Sequence, residues 1–148
     1  MTERKHIVHV IGIDASGPEK LSTYLQELII SAQRIAAPTR VLDILQQWWK
    51  KNKFESPLPE LIASEKTSHL IKQLKSSNKR TVLLASGDPL WFGIGRILIE
   101  NIPSEKLCFH PSPTSLQIAF SRLGRPWQDS SWISLHGRDP FHLAKLLQ

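Results

Sequence analysis

The chain has a single cysteine, Cys108. It therefore forms no internal disulfide, and a lone thiol is expected to be a small buried hydrophobe rather than a nucleophile. No stretch approaches the roughly 18 apolar residues that a membrane span requires. The opening "MTERKHIVHVIGI" lacks the layout of a secretory signal, because its apolar segment is short and strand-like. Together these absences predict a cytoplasmic chain with no membrane partner. The six histidines, His6, His9, His69, His110, His136 and His142, show no paired spacing of a zinc motif, so no metal is expected. There is no G-x-S-x-G, G-x-G-x-x-G or P-loop either, which leaves serine hydrolysis, dinucleotide binding and P-loop chemistry without support.

What is present suits a folded domain, or one domain with part of another: 148 residues, of which 41% are hydrophobic. The net charge of +6 is compatible with a nucleic acid, an anionic small molecule or plain solubility. Lys50, Lys51 and Lys53 follow Trp48 and Trp49, while Lys72, Lys75, Lys79 and Arg80 lie along and after a second helical segment. Cations beside aromatic rings bind single-stranded nucleic acid. At helical spacing, however, the lysines are expected to form a solvated face and the tryptophans to pack inward, so no nucleic acid is expected.

"HIVHVIGI" is a short β-branched run of the kind found in strands covered on both faces. After the turn "DASGP", a helix beginning at Pro18 places Leu21, Leu25, Leu28 and Ile29 on one stripe. "RVLDILQQWWKK" repeats that pattern, Pro57 and Pro59 interrupt it, and Thr67 is placed to cap a third helix carrying Leu70, Ile71 and Leu74. The strand "TVLLA", the loop "SGDPLWFG", a helix "IGRILIENI", the strand "LCFH", the loop "PSPTS" and a helix "LQIAFSRL" follow. This alternation predicts an α/β fold with a mostly parallel sheet and helices on both faces. Ligands of such sheets bind at loops after the carboxyl ends of strands, the position of "DASGP", "SGDPLWFG" and "PSPTS". Asp88, between Gly87 and Pro89, reads equally well as a ligand to an amine or hydroxyl and as a cap of the following helix. Gly124 is expected to end the helix before it, with "GRPWQDSS" as a linker to a further strand "WISLHG".

In order along the chain, "HVIGIDASGPEKL", "LLASGDPLWFGIGRIL", "HPSPTSLQIAFSRLGRPWQD" and "ISLHGR" resemble the tetrapyrrole methylases, in particular the branch that methylates C5 of a precorrin in the vitamin B12 pathway. The resemblance implies two α/β domains holding S-adenosylmethionine in the cleft between them. It assigns residues 1–123 to the N-terminal domain, and 124–148 to a linker and the start of a second domain. A full second domain does not fit in 148 residues, so the chain reads as truncated and is expected to bind the cofactor weakly and to turn over poorly.

The positions matching the family's cofactor loops are Ala15, Ser86, Gly87, Asp88, Trp91, Thr114 and Ser115. Asp14 and Ala15 depart from the more glycine-rich first loop of the family, and Pro111-Ser112-Pro113 replaces the usual Pro-Gly, which predicts a stiffer third loop. The implied substrate is a polycarboxylate precorrin, with Arg96, Arg122 and Arg138 available to its carboxylates and His136 as the substrate-side or proton-handling residue. A homodimer, or association with a partner methyltransferase/decarboxylase domain, is compatible with the resemblance. The alternatives are a non-catalytic binding or assembly role of the same fold, or methylation of another tetrapyrrole.

Overall fold

The computed structural model describes residues 8–134. The chain divides into two compact units, 1–114 and 115–148. In the first unit, β1 (Val8–Ile13), β2 (Arg34–Ala37), β3 (Glu60–Ala63), β4 (Thr81–Ser86) and β5 (Leu107–His110) form one sheet in the order β3-β2-β4-β1-β5. Every pairing is parallel, from Val8 beside Thr81 and Leu107 to Arg34 beside Glu60 and Thr81. The connecting helices are α1 (Thr23–Ile30), α2 (Thr39–Asn52), α3 (Thr67–Lys75) and α4 (Gly95–Asn101).

Strand alternation divides the core in two. Ile11 and Ile13 of β1 and Val82 and Leu84 of β4 pack with Ile29 of α1 and with Val41, Leu42, Leu45, Trp48 and Trp49 of α2. Val8, Val10, Leu83 and Ala85 face the other way, against Leu70, Ile71 and Leu74 of α3 and Leu98 of α4. Because helices cover both faces, β1 and β4 run apolar over residues 10–13 and 82–85, with His9, Thr81 and Ser86 as their polar members. The expected parallel sheet with helices on both faces is thus the observed one.

The two tryptophans pack inward. Trp48 and Trp49 are 6% and 8% exposed and hold Phe54 between ring contacts of 4.7 and 5.2 Å. The Trp49 indole N–H donates to the Ser56 carbonyl at 3.2 Å, so neither ring is a stacking platform for bases.

Several local expectations need correction. β2 and β3 were not anticipated: "RIAA" and "ELIA" are four-residue runs with too little periodicity to separate from the ends of neighbouring segments, and parallel pairing defines them. The helix expected from Pro18 is broken, with a 3-10 turn at Gly17–Lys20 and α1 starting only after Ser22, whose hydroxyl accepts the Leu25 N–H at 3.4 Å. Leu21, Leu25 and Leu28 nevertheless lie against the core that Ile29 enters. Thr67 is the first residue of α3 and not its cap; Lys66 stands at the cap and makes no side-chain bond there.

In the second unit, α5 (Ser115–Leu123) ends at Gly124, where φ is +61°. Gly124 N–H donates to the Ser121 carbonyl and Arg125 N–H to that of Phe120, a helix-ending arrangement as expected. Trp132 packs edge-on against Phe120 and Trp127. Trp132, Ile133 and Ser134 pair with no strand among the described residues, and the remainder of the strand expected at "WISLHG" lies outside them.

Candidate functional site

The strand order brings β4, β1 and β5 side by side, although Val8 of β1 and its partner Leu107 of β5 are 99 positions apart in the chain. The chain leaves β1 for β2 on one side and leaves β4 for β5 on the other. Such a reversal opens a crevice at the carboxyl ends of the strands concerned. The three loops singled out by sequence, at 14–17, 87–94 and 111–114, follow these three strands.

Their meeting point is Gly12. A β-carbon there would overlap the Gly87 carbonyl and come within 2.7 Å of the Ser112 nitrogen and 3.0 Å of the Ser112 β-carbon, so the three strand ends approach too closely for any side chain at position 12. Gly87, at φ +67°, donates its N–H to the Ile13 carbonyl at 2.8 Å. An L side chain is disfavoured in that left-handed conformation, which is what the abrupt end of β4 demands. The position of a β-carbon on Gly87 is 3.6 Å from Thr114 Cα, bringing the second and third loops into van der Waals contact.

The acidic residues in the first two loops organise their own turns. Asp14 Oδ1 accepts the Ser16 N–H at 2.7 Å, and Asp88 Oδ1 accepts the Leu90 N–H at 2.8 Å. These are Asx turns, in which a short carboxylate replaces a backbone acceptor. Asp88 does not cap the next helix: α4 starts at Gly95 after Ile94, with Phe92 at φ +51° on the way. Ala15 and Ser86 are exposed, Gly87, Asp88 and Thr114 are half-buried, and Trp91 is 39% exposed in edge contact with Phe92. Ser115 opens α5 and belongs to the second unit.

Of the arginines considered for carboxylate binding, Arg96 pairs with Glu100 at 3.0 Å on the exposed side of α4, and Arg122 is exposed on α5. Arg138 and His136 lie outside the described residues. Two recesses of about 110 and 480 Å³ run along the strand starts and along α3, and share no residue with the three loops.

The family model described as Tetrapyrrole (Corrin/Porphyrin) Methylases matches residues 8–148. The chain belongs to the tetrapyrrole methylases. Among relatives of this chain, the precorrin-6Y C(5,15)-methyltransferase [decarboxylating] of Sinorhizobium sp is 31% identical over 92% of the chain and 31% of its own length. The probable cobalt-precorrin-7 C(5)-methyltransferase of Methanocaldococcus jannaschii is 25% identical over 90% of the chain and 62% of its own length. The chain therefore spans about a third of one relative and about three fifths of the other. The crystal structure of a cobalamin-biosynthesis precorrin-6Y methylase from Archaeoglobus fulgidus matches at a TM-score of 0.66 and 18% identity, covering 91% of this chain and 67% of that one, a likeness of fold. No helix among the described residues is long and apolar enough to cross a membrane.

One cluster of side chains is not legible in the sequence. His9 of β1 lies beside Cys108 of β5, and Cys108 and His110 alternate onto the same sheet face as His9. The rings of His9 and His110 stack at 5.3 Å, with Nδ1 of the first 3.0 Å from Nε2 of the second. Burial holds both imidazoles below their usual pKa, reinforced at His9 by the charge His110 would carry. Cys108 is half-buried, not the enclosed hydrophobe expected of it. Cysteine and histidine two apart on a strand are a detectable signal, but the partner is 99 residues upstream of Cys108 and is found only through strand pairing.

Proposed function

We propose that this chain carries the cofactor loops of an S-adenosylmethionine-dependent C-methyltransferase that acts at C5 of a precorrin in cobalamin biosynthesis. One observation carries the reading: in a member of the tetrapyrrole methylases, the loops after β1, β4 and β5 converge on Gly12 at a single sheet edge. The relatives named as C5 precorrin methyltransferases support the substrate class.

The residues present fit such a cofactor. Main chain forms the floor at Gly12 and Gly87, where a β-carbon would intrude or strain the turn, and no bulky side chain is needed to close the join. Ala15 and Gly87 allow close backbone approach. Ser86 and Thr114 carry hydroxyls in these loops, and the Asp88 carboxylate, anchored through one oxygen to Leu90 N–H, retains acceptor capacity for an amine or hydroxyl. Trp91 offers an apolar face at the loop surface. When bound, S-adenosylmethionine supplies a methyl group already activated on its sulfonium. The work left to these loops is alignment of donor and acceptor within a fixed geometry. The excess of cationic side chains favours a polycarboxylate substrate, whose approach it assists over distances of about a Debye length.

The test joins this chain to the carboxy-terminal region of the Methanocaldococcus jannaschii relative and titrates S-adenosylhomocysteine by calorimetry, after a cooperative unfolding transition has established that the joined chain is folded. Saturable one-to-one binding that Gly87→Val abolishes is the expected result. A folded joined chain that gives no saturable heat rejects the cofactor reading. Transfer of labelled methyl to other tetrapyrroles but not to a precorrin rejects the substrate.

A further inference from the structure

We propose that His9, Cys108 and His110 form a binding site for a zinc-class divalent transition ion, with two imidazole nitrogens and one thiolate as ligands. One donor atom from each residue lies within 4.8 Å of the other two. Tetrahedral zinc, with bonds of about 2.0–2.1 Å to nitrogen and about 2.3 Å to sulfur, sets its ligand atoms roughly 3.3–3.6 Å apart. The His9 Nδ1 to His110 Nε2 separation of 3.0 Å is already near that edge, and with all three donor atoms inside 4.8 Å of one another the remaining closure is on the order of 1 Å.

The backbone explains why the triangle is preformed. Parallel pairing places His9 and Cys108 side by side, and the two-residue period of β5 puts His110 on the face of Cys108. Leu107 and Phe109 turn to the opposite core. Ligands carried on strands are held more accurately than ligands on loops. All three residues are half-buried, and Tyr24 of α1 meets the His110 ring edge-on at 6.2 Å, so an ion can enter while its surroundings stay partly dry.

Donor chemistry selects the ion class. A thiolate with two imidazoles suits zinc, cobalt(II) and copper rather than magnesium or calcium, which take oxygen ligands. Three protein ligands leave the fourth tetrahedral position for water or an exogenous group. Coordination requires the hydrogen shared between the two rings to be replaced: each neutral imidazole keeps its N–H on the outer nitrogen, and Cys108 loses its thiol proton. The site stands on the α1 and α2 side of the sheet and does not depend on the methyl-transfer reading.

Cobalt(II) chloride titrated into the full 148-residue chain, reduced with a non-thiol phosphine, provides the test. The expected result is one ion per chain, tetrahedral d–d absorption and a sulfur-to-cobalt charge-transfer band, with displacement by zinc. Removing an outer-shell partner typically weakens a metal site 10- to 100-fold. Loss of a ligand in His9→Gln, His110→Gln or Cys108→Ala should therefore weaken binding by about 100-fold or more. Cys108→Ser should also erase the charge-transfer band, while His69→Ala changes nothing. Far-ultraviolet circular dichroism identifies any variant that has not folded, and another of the ligand variants then serves in its place. Absence of saturable binding, persistence of the charge-transfer band in Cys108→Ser, or equal weakening by His69→Ala overturns the proposal.

Discussion

The two ends of the sheet are joined by different means. At the amino end of β2 and β3, Arg34, 8% exposed in its side chain, donates to Glu60 at 3.2 Å and to the Gln73 carbonyl, and Lys79 reaches the same carboxylate at 2.7 Å. Gln33 adds a side-chain acceptor for Arg80 N–H. At the carboxyl end of β1 and β4 the join is main chain: Gly87 N–H to Ile13 carbonyl, over a glycine at position 12. Long side chains close one end, and their polar atoms are used in closing it. Closure by backbone leaves Ala15 and Ser86 exposed and Asp88 and Thr114 half-buried at the other.

The contrast can be broken most severely at Gly12. Gly12→Ala drives a methyl into the Gly87 carbonyl and the Ser112 nitrogen, and backbone cannot give way as a flexible side chain does. The expected destabilisation is about 3 kcal/mol, the upper range for overpacking, read from the urea midpoint. Gly87→Ala should cost less, about 1–2 kcal/mol of left-handed backbone strain. Its β-carbon meets nothing nearer than 3.6 Å, so a loss as large as that of Gly12→Ala in the same urea experiment would contradict the structure.

The amino end should yield a smaller, pH-dependent effect. Glu60→Gln removes the carboxylate beside a nearly buried guanidinium; because Glu60 is itself 41% exposed, the expected loss near neutral pH is only about 1 kcal/mol. Hydrogen bonds from Lys79 and then Arg34 hold the Glu60 carboxyl below its usual 4.5. A depressed carboxyl pKa gives stability that is present above 4.5 and is lost as pH falls through the folded-state value. Unfolding measured across that range should therefore show wild type and Glu60→Gln converging in acid, and parallel curves would exclude the pairing as the cause. Smallest of all, Arg96→Ala should stay within about 0.5 kcal/mol by thermal unfolding, since the Arg96 side chain is 85% exposed and its bond to Glu100 is a surface pair.

Much of this arrangement is written locally. The apolar runs at "HIVHVIGI" and "TVLLA", the stripes of α2 and α3, "LCFH" as a strand and Gly124 as a helix end follow from periodicity and from glycine's permitted conformations. So do the three loops, because a strand that breaks into glycine and proline must leave the sheet there. The ordered motifs also carried the family. What local pattern lacked was information on neighbours. "RIAA" and "ELIA" become strands through hydrogen bonds to partners distant in sequence, and Asp88 became a turn anchor through the fold of its loop. The order β4-β1-β5 alone placed three separated loops on one edge and stood His9 beside Cys108. Side-chain chemistry along a chain is local, whereas adjacency in a parallel sheet is set by which crossovers bury both faces, a property of the whole core.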